Sequence, residues 1–267
     1  MILRRVIAHF RKQEWTAIFL DFLVVVAGVF LANQVTTWKD EAALAKRKAA
    51  AIERLHDESE SVVDYFSGVV RLFEKNNADA AAILARLSSG DIAGADPEAA
   101  DAAVDSLNLA PAAAPPRSAY DEMIGAGLFA EIGDVSMRAA VADYYASLAF
   151  LQGQIDYVRG AINVESAQRR FKGLSYVYDP AAFRSARIEV DLAALGADAE
   201  FMHYATLLNA DQIALRQWWT LTLIKARAMC DELARFDGRP CAPKASGDGA
   251  EIFGAPPPAE KPREPVP

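Results

Sequence analysis

From Trp15 to Val35 the chain is almost wholly apolar, and Asp21 is the only formally charged residue in that stretch. At 1.5 Å per residue, about twenty such residues cross the roughly 30 Å hydrocarbon core of a bilayer. Backbone groups in lipid must be hydrogen-bonded internally, so residues 15–38 are predicted to form a transmembrane helix. Trp15 and Trp38 flank it as an interface belt, one indole for each headgroup region. A cleaved signal peptide would share the basic start (Arg4, Arg5, Arg11, Lys12). Its apolar run is shorter, however, and Phe30 and Leu31 stand before Ala32 where a cleavage site requires small residues.

Beyond the span the helical pattern continues. Ile52, Leu55, Ser59, Val62, Phe66, Val69, Phe73, Asn76, Ala80, Ile83 and Leu87 alternate steps of three and four, a heptad seam interrupted by Ser59 and Asn76. The glycine of "SSGD" (88–91) suits the end of that helix. A short alanine-rich helix is predicted from Pro97 to Ala110, followed by a proline-rich connector, "APAAAPPR" (110–117). Ser118 and Asp121 read as a capping box, with the next helix broken at Gly125, Gly127 and Gly133. Asp134 caps a second long helix whose seam is Met137, Val141, Tyr144, Leu148, Leu151, Ile155, Val158 and Ile162, with Glu165 and Arg169 in the same register. Pro180 ends the pattern in "YVYDP", a modest helix is expected over 181–195, and a last long helix over 198–236. Strand alternation is not evident anywhere.

The fold class read from this pattern is all-α: an N-terminal transmembrane helix continuing into an antiparallel helical bundle. Its domains are a basic cytoplasmic arm (1–14), the span (15–38), the bundle (39–241) and a disordered proline-rich tail (242–267).

Composition narrows the partners. The 267 residues carry a net charge of −8, which argues against nucleic acid. Four basic residues precede the span and four follow it (Lys39, Lys46, Arg47, Lys48), so the positive-inside rule is nearly balanced. The short basic arm favours a cytoplasmic N-terminus, and with it a periplasmic domain at a bacterial inner membrane. Cys230 and Cys241 then fall in an oxidising compartment, and a turn at Asp237–Gly238 would bring them into bonding range as a disulfide.

The span has a face of its own. Asp21, Val25, Gly28, Ala32 and Val35 fall on one narrow helical stripe, where Gly28 and Ala32 admit a close neighbour. An aspartate in a span usually faces protein or water. The stripe therefore predicts contact with another transmembrane helix, from a second copy or a different membrane protein; the alternative is that Asp21, six residues from Trp15, reaches the headgroups or remains protonated.

The start "MILRRVIAHFRKQEW", the span with "GVFLANQVTTW", "AIERLHDESE" and "SAYDEMIGAGLFAEIGDVSMRAAVADYY" together resemble an uncharacterised family of bacterial single-pass membrane proteins. The likeness covers roughly residues 1–165. It implies a basic N-terminal anchor with a helical extracytoplasmic domain, and it supplies no catalytic residues.

Candidate chemistry is sparse. Glu53–His56 and Glu200–His203 have the Glu-x-x-His spacing of carboxylate-bridged di-metal bundles, with Glu122 or Glu165 as further ligands. If the last helix returns toward the membrane, the two pairs lie at opposite ends, and both read instead as solvated ion pairs. No cofactor is expected. Trp218, Trp219, Tyr144, Tyr145, Tyr176 and Tyr178 suit a core more than a ligand pocket. Three functions follow. The leading one is a non-enzymatic envelope protein acting through protein contacts in and above the membrane. The others are an extracytoplasmic ligand-sensing bundle that signals through a membrane partner, and a di-metal carboxylate enzyme.

Overall fold

The computed structural model describes residues 15–166, 171–180 and 185–244, with side chains described over 19–162, 171–180 and 185–244. The basic arm, residue Arg169 and residues 245–267 of the tail lie outside these, as does the side chain of Glu165. The chain divides into two compact units, Met1–Ala51 and Ile52–Pro267. Helix α1 (Trp15–Ser89) contributes to both.

In the first unit, residues 19–33 of α1 are all exposed. This part of the helix is long and apolar enough to cross a membrane, and none of that apolar stretch is buried within the protein. Two hydroxyls near its end bond back to the helix. Thr36 donates to the Ala32 carbonyl and Thr37 to that of Asn33, each at 3.0 Å, as a helix in lipid requires.

The second unit is helical, as the heptad seams predict. After α1 come α2 (Pro97–Ser106), α3 (Ser118–Gly125), a single 3-10 turn (Phe129–Glu131) and α4 (Val135–Ser166). Strands β1 (Leu174–Tyr178) and β2 (Ala186–Val190) follow, then α5 (Leu192–Ala197) and α6 (Ala199–Asp237). Side-chain caps start three helices: Asp134 for α4, as the sequence placed it, and Asp96 and Asp198 for α2 and α6. Gly90 and Gly238 end α1 and α6 in the left-handed region that favours glycine.

Three long helices make the core. Arg235 pairs with Asp134, Lys225 with Asp143 and Ser147 with Thr222, so α6 runs antiparallel to α4. His56 meets Asp237 and Asn77 meets the Gln212 carbonyl, so α6 also runs antiparallel to α1. Hence α1 and α4 are parallel to each other. Where they face α6, Phe66, Tyr144 and Trp219 pack as one aromatic cluster, all fully buried. Burying each such side chain stabilises the bundle by about 1.5–3 kcal/mol.

Two consecutive long helices run parallel because the proline-rich connector returns the chain along the bundle. Its carbonyls are bonded one by one from the helices. Arg159 donates to Ala110 at 2.7 Å and Gln152 to Ala113 at 3.1 Å. The Tyr65 hydroxyl donates to the Ala112 carbonyl and accepts from the Ala114 amide, both at 3.2 Å. Gln212, itself buried, donates to Leu107 and Leu109. Three connector residues thus match seven residues of α4, about 10 Å, which only an extended chain covers. Proline lacks an amide hydrogen to satisfy, which suits this packing.

Several expectations need correcting. Within the predicted helix over 181–195, residues Ala186–Val190 are instead strand β2, paired antiparallel with β1 with Tyr176 opposite Ile188, and the helix begins only at Leu192, as α5. Residues 181–184 of that range lie outside the described residues. The second polar interruption of the α1 seam is Asn77, which is buried, while Asn76 is half-buried. The seam positions on either side, Phe73, Ala80 and Leu87, remain buried. Val63 and Val70 are buried together with Val62 and Val69, so the buried face is wider than the seam here. Nor do Ser118 and Asp121 form a capping box, because a residue of α1 caps α3.

Candidate functional site

Two features of the structure bear on function: the exposed stripe of the first unit, and a polar clasp at the end of the bundle nearest Ile52.

Asp21, Val25, Gly28, Ala32 and Val35 are all exposed along α1, and a Cβ added at Gly28 would meet nothing within 4 Å. Trp38 is exposed as well. The side chain of Trp15, the other member of the predicted interface belt, lies outside the described side chains. The bare backbone at Gly28 lets a second helix approach, and the Asp21 carboxylate on the same stripe offers it a hydrogen-bond acceptor.

The clasp is built around His56, which the sequence reading placed as a solvated partner of Glu53. It is fully buried instead, and Glu53 is exposed. His56 Nδ1 lies 2.6 Å from Asp237 Oδ2, and its Nε2 lies 3.6 Å from Glu60. The loop after α6 closes over them. Arg239 reaches Asp57 at 2.9 Å and Asp237 at 3.2 Å, while the Ala242 amide donates to Glu60 at 3.0 Å. Cys230 and Cys241 form a disulfide that ties this loop back to α6. Burial pushes the Asp237 carboxyl up. Hydrogen bonds from His56, from the Arg239 amide and from its guanidinium outweigh that and hold it below the usual carboxylate range.

Next along α1, Glu58 is buried and turned toward α3. It accepts from the Ala119 amide at 2.7 Å, the Tyr120 amide at 3.3 Å and the Ser118 hydroxyl at 3.2 Å. These amides belong to the first turn of α3, which has no side-chain cap of its own. A carboxylate at a helix N-terminus also complements the helix dipole. Arg54 secures the same helix through two hydrogen bonds to Glu122, at 2.6 and 3.0 Å. Tyr120 stacks on Tyr145 with ring centroids 3.5 Å apart. Burial, and then the charge of Glu58, push the Tyr145 hydroxyl well above its ordinary range. The segments "AIERLHDESE" and "SAYDEMIG" are therefore bonded to each other.

The four candidate metal ligands do not come together. Glu200 and His203 are exposed near the start of α6, and His203 is 34 residues from the end of α6 where His56 sits, about 50 Å of helix. Among the described residues no three His, Cys, Asp or Glu side chains are grouped so as to hold a metal ion. Glu122 is engaged with Arg54. The aromatic residues also divide. Trp219 and Tyr144 are core, Trp218 and Tyr145 are half-buried, and Tyr176 and Tyr178 are exposed on the hairpin. A cavity of about 60 Å³ lies beneath that hairpin, lined by Leu107, Asn108, Phe171, Tyr176, Phe201 and Tyr204 among others.

No protein-family model matches the chain, and no curated protein or solved structure is significantly similar to it.

Proposed function

We propose that this is a non-enzymatic, membrane-anchored helical-bundle protein of the bacterial inner membrane. Its N-terminus is cytoplasmic, its bundle periplasmic, and it acts through protein–protein contacts in and above the membrane. The observation that carries this reading is the apolar part of α1 with the Asp21–Gly28–Ala32 stripe uncovered along it. An acidic side chain in a span usually faces protein or water, and the small residues beside Asp21 favour a partner helix. The Cys230–Cys241 disulfide supports an oxidising location for the bundle. Purification of the intact chain from native membranes should carry along a membrane protein that is lost with both Asp21→Leu and Gly28→Ile. Retention of the same companions by both variants would contradict the reading.

A ligand-sensing bundle is the second reading, and the cavity beneath the hairpin is the observation behind it. Metabolite pockets are commonly about 300–1,000 Å³. The cavity of about 60 Å³ admits only a few heavy atoms, so the first reading is favoured.

A further inference from the structure

The surface of α4 turned away from the core carries a second heptad pattern, distinct from the buried seam. Phe150 and Tyr157 are seven residues apart and 50% and 70% exposed. Ala146, Gly153 and Gly160 are also seven apart, offset from the aromatics by three or four, and all exposed. A Cβ at either glycine would meet nothing within 4 Å. Large side chains and open sites therefore alternate along one face. The neighbouring face of α6 extends it: Trp218 packs against Phe150 with ring centroids 6.3 Å apart, and Leu221, Ile224 and Leu207 are 45%, 56% and 46% exposed.

We propose that this face of α4 and α6 pairs with the same face of a second copy of the chain. Three observations favour a second copy over a different partner. The first is self-complementarity. An isologous contact requires one surface to hold both projections and recesses. In a parallel alignment Phe150 of one copy enters the site framed by Ala146, Ala149, Phe150 and Gly153 of the other, in knobs-into-holes fashion, the two rings side by side with small residues above and below them. Size is the second. Five large side chains about half exposed present on the order of 500 Å² of apolar surface, at roughly 200 Å² for each when fully exposed. With the alanines and glycines between them, this approaches the about 800 Å² per partner of a standard interface, and it is the size of the largest apolar patch of a typical monomer, about 300–600 Å², which is often functional. The third is charge. The whole chain carries −8, which would drive copies apart through most surfaces. At the edges of this face Asp143 is paired with Lys225 and Asp156 with Arg159.

The chain has two cysteines, bonded to each other, so an introduced thiol reacts alone. In full-length protein in its native membranes, mild oxidation of Tyr157→Cys should give a covalent species of twice 28.9 kDa. Glu74→Cys, at an exposed position of α1, should not. Absence of the dimer, equal yield from Glu74→Cys, or adducts only with other proteins would overturn the proposal. Combining Gly153→Leu and Gly160→Leu with Tyr157→Cys fills the recesses and should lower dimer yield at least tenfold. It should not lower the melting temperature, because leucine favours helix over glycine. An unchanged yield would equally overturn the proposal.

Discussion

His56 Nδ1 and Asp237 Oδ2 lie 2.6 Å apart across 181 residues of chain, and this bond closes one end of the bundle. Truncating His56 to alanine removes a fully buried ring and leaves Asp237 without its nearest donor. A cost of about 2–4 kcal/mol is expected, from the lost hydrogen bond to a charged group together with the cavity. Denaturant unfolding of the purified protein measures it. Glu53→Ala, three residues away and exposed, should change stability by less than about 0.5 kcal/mol.

The same bond gives the bundle an acid dependence. Asp237 is held below its ordinary pKa in the folded protein. Such a carboxyl contributes stability that is fully present above its unfolded value of about 3.9 and is lost as pH falls through the lower folded value. The melting temperature should therefore decline as pH is taken from 5 toward 2. Asp237→Asn should start lower and decline less steeply over that range. Parallel declines for the two proteins would show that Asp237 is not a source of the acid sensitivity.

The disulfide acts on the same loop. Cys230 and Cys241 are 11 residues apart, and closing so short a loop stabilises the folded state by about 3 kcal/mol on the chain-entropy account. Reduction should lower the melting temperature and release Arg239 from Asp57. Alkylation of intact cells should label neither thiol before reduction and both after it. Labelling of both without reductant would place the loop in a reducing compartment and remove one support of the periplasmic assignment.

Glu58 is the cap that α3 lacks locally. Glu58→Ala should leave the first amides of α3 unsatisfied in a partly buried site, costing about 2–3 kcal/mol. Limited proteolysis should then cut first between Arg117 and Gly127. Unchanged protection of that segment would show that Arg54–Glu122 and the Tyr120–Tyr145 stack hold α3 without it.

The seams that build the core were legible because they are long. All eight positions of the α4 seam from Met137 to Ile162 are buried, and eight apolar positions in alternating steps of four and three admit no other reading. The hairpin was not legible. Five residues per strand give too little period to outweigh a helical expectation, although "SYVY" has the aromatic and β-branched content of a strand. His56 was missed for a different reason. It lies one position beyond Leu55 on the seam, and only the return of α6, with Asp237 at its end, makes burial of a polar ring tolerable. Likewise the cap of α3 comes from a residue 60 positions upstream, Glu58 for Ser118, which no local motif announces. The alignment of the Asp21 stripe follows from helix geometry alone, and the structure adds that its residues are exposed.

The most direct test of the account is a photoreactive residue placed along α1 in living cells. At Ala32, on the stripe, it should give a discrete crosslinked product that disappears when Asp21→Leu is added. At Phe30, on the opposite side of the helix, it should give only lipid adducts. Equal protein products from both positions, or a product at Ala32 that survives Asp21→Leu unchanged, would contradict the claim that this stripe binds a partner helix.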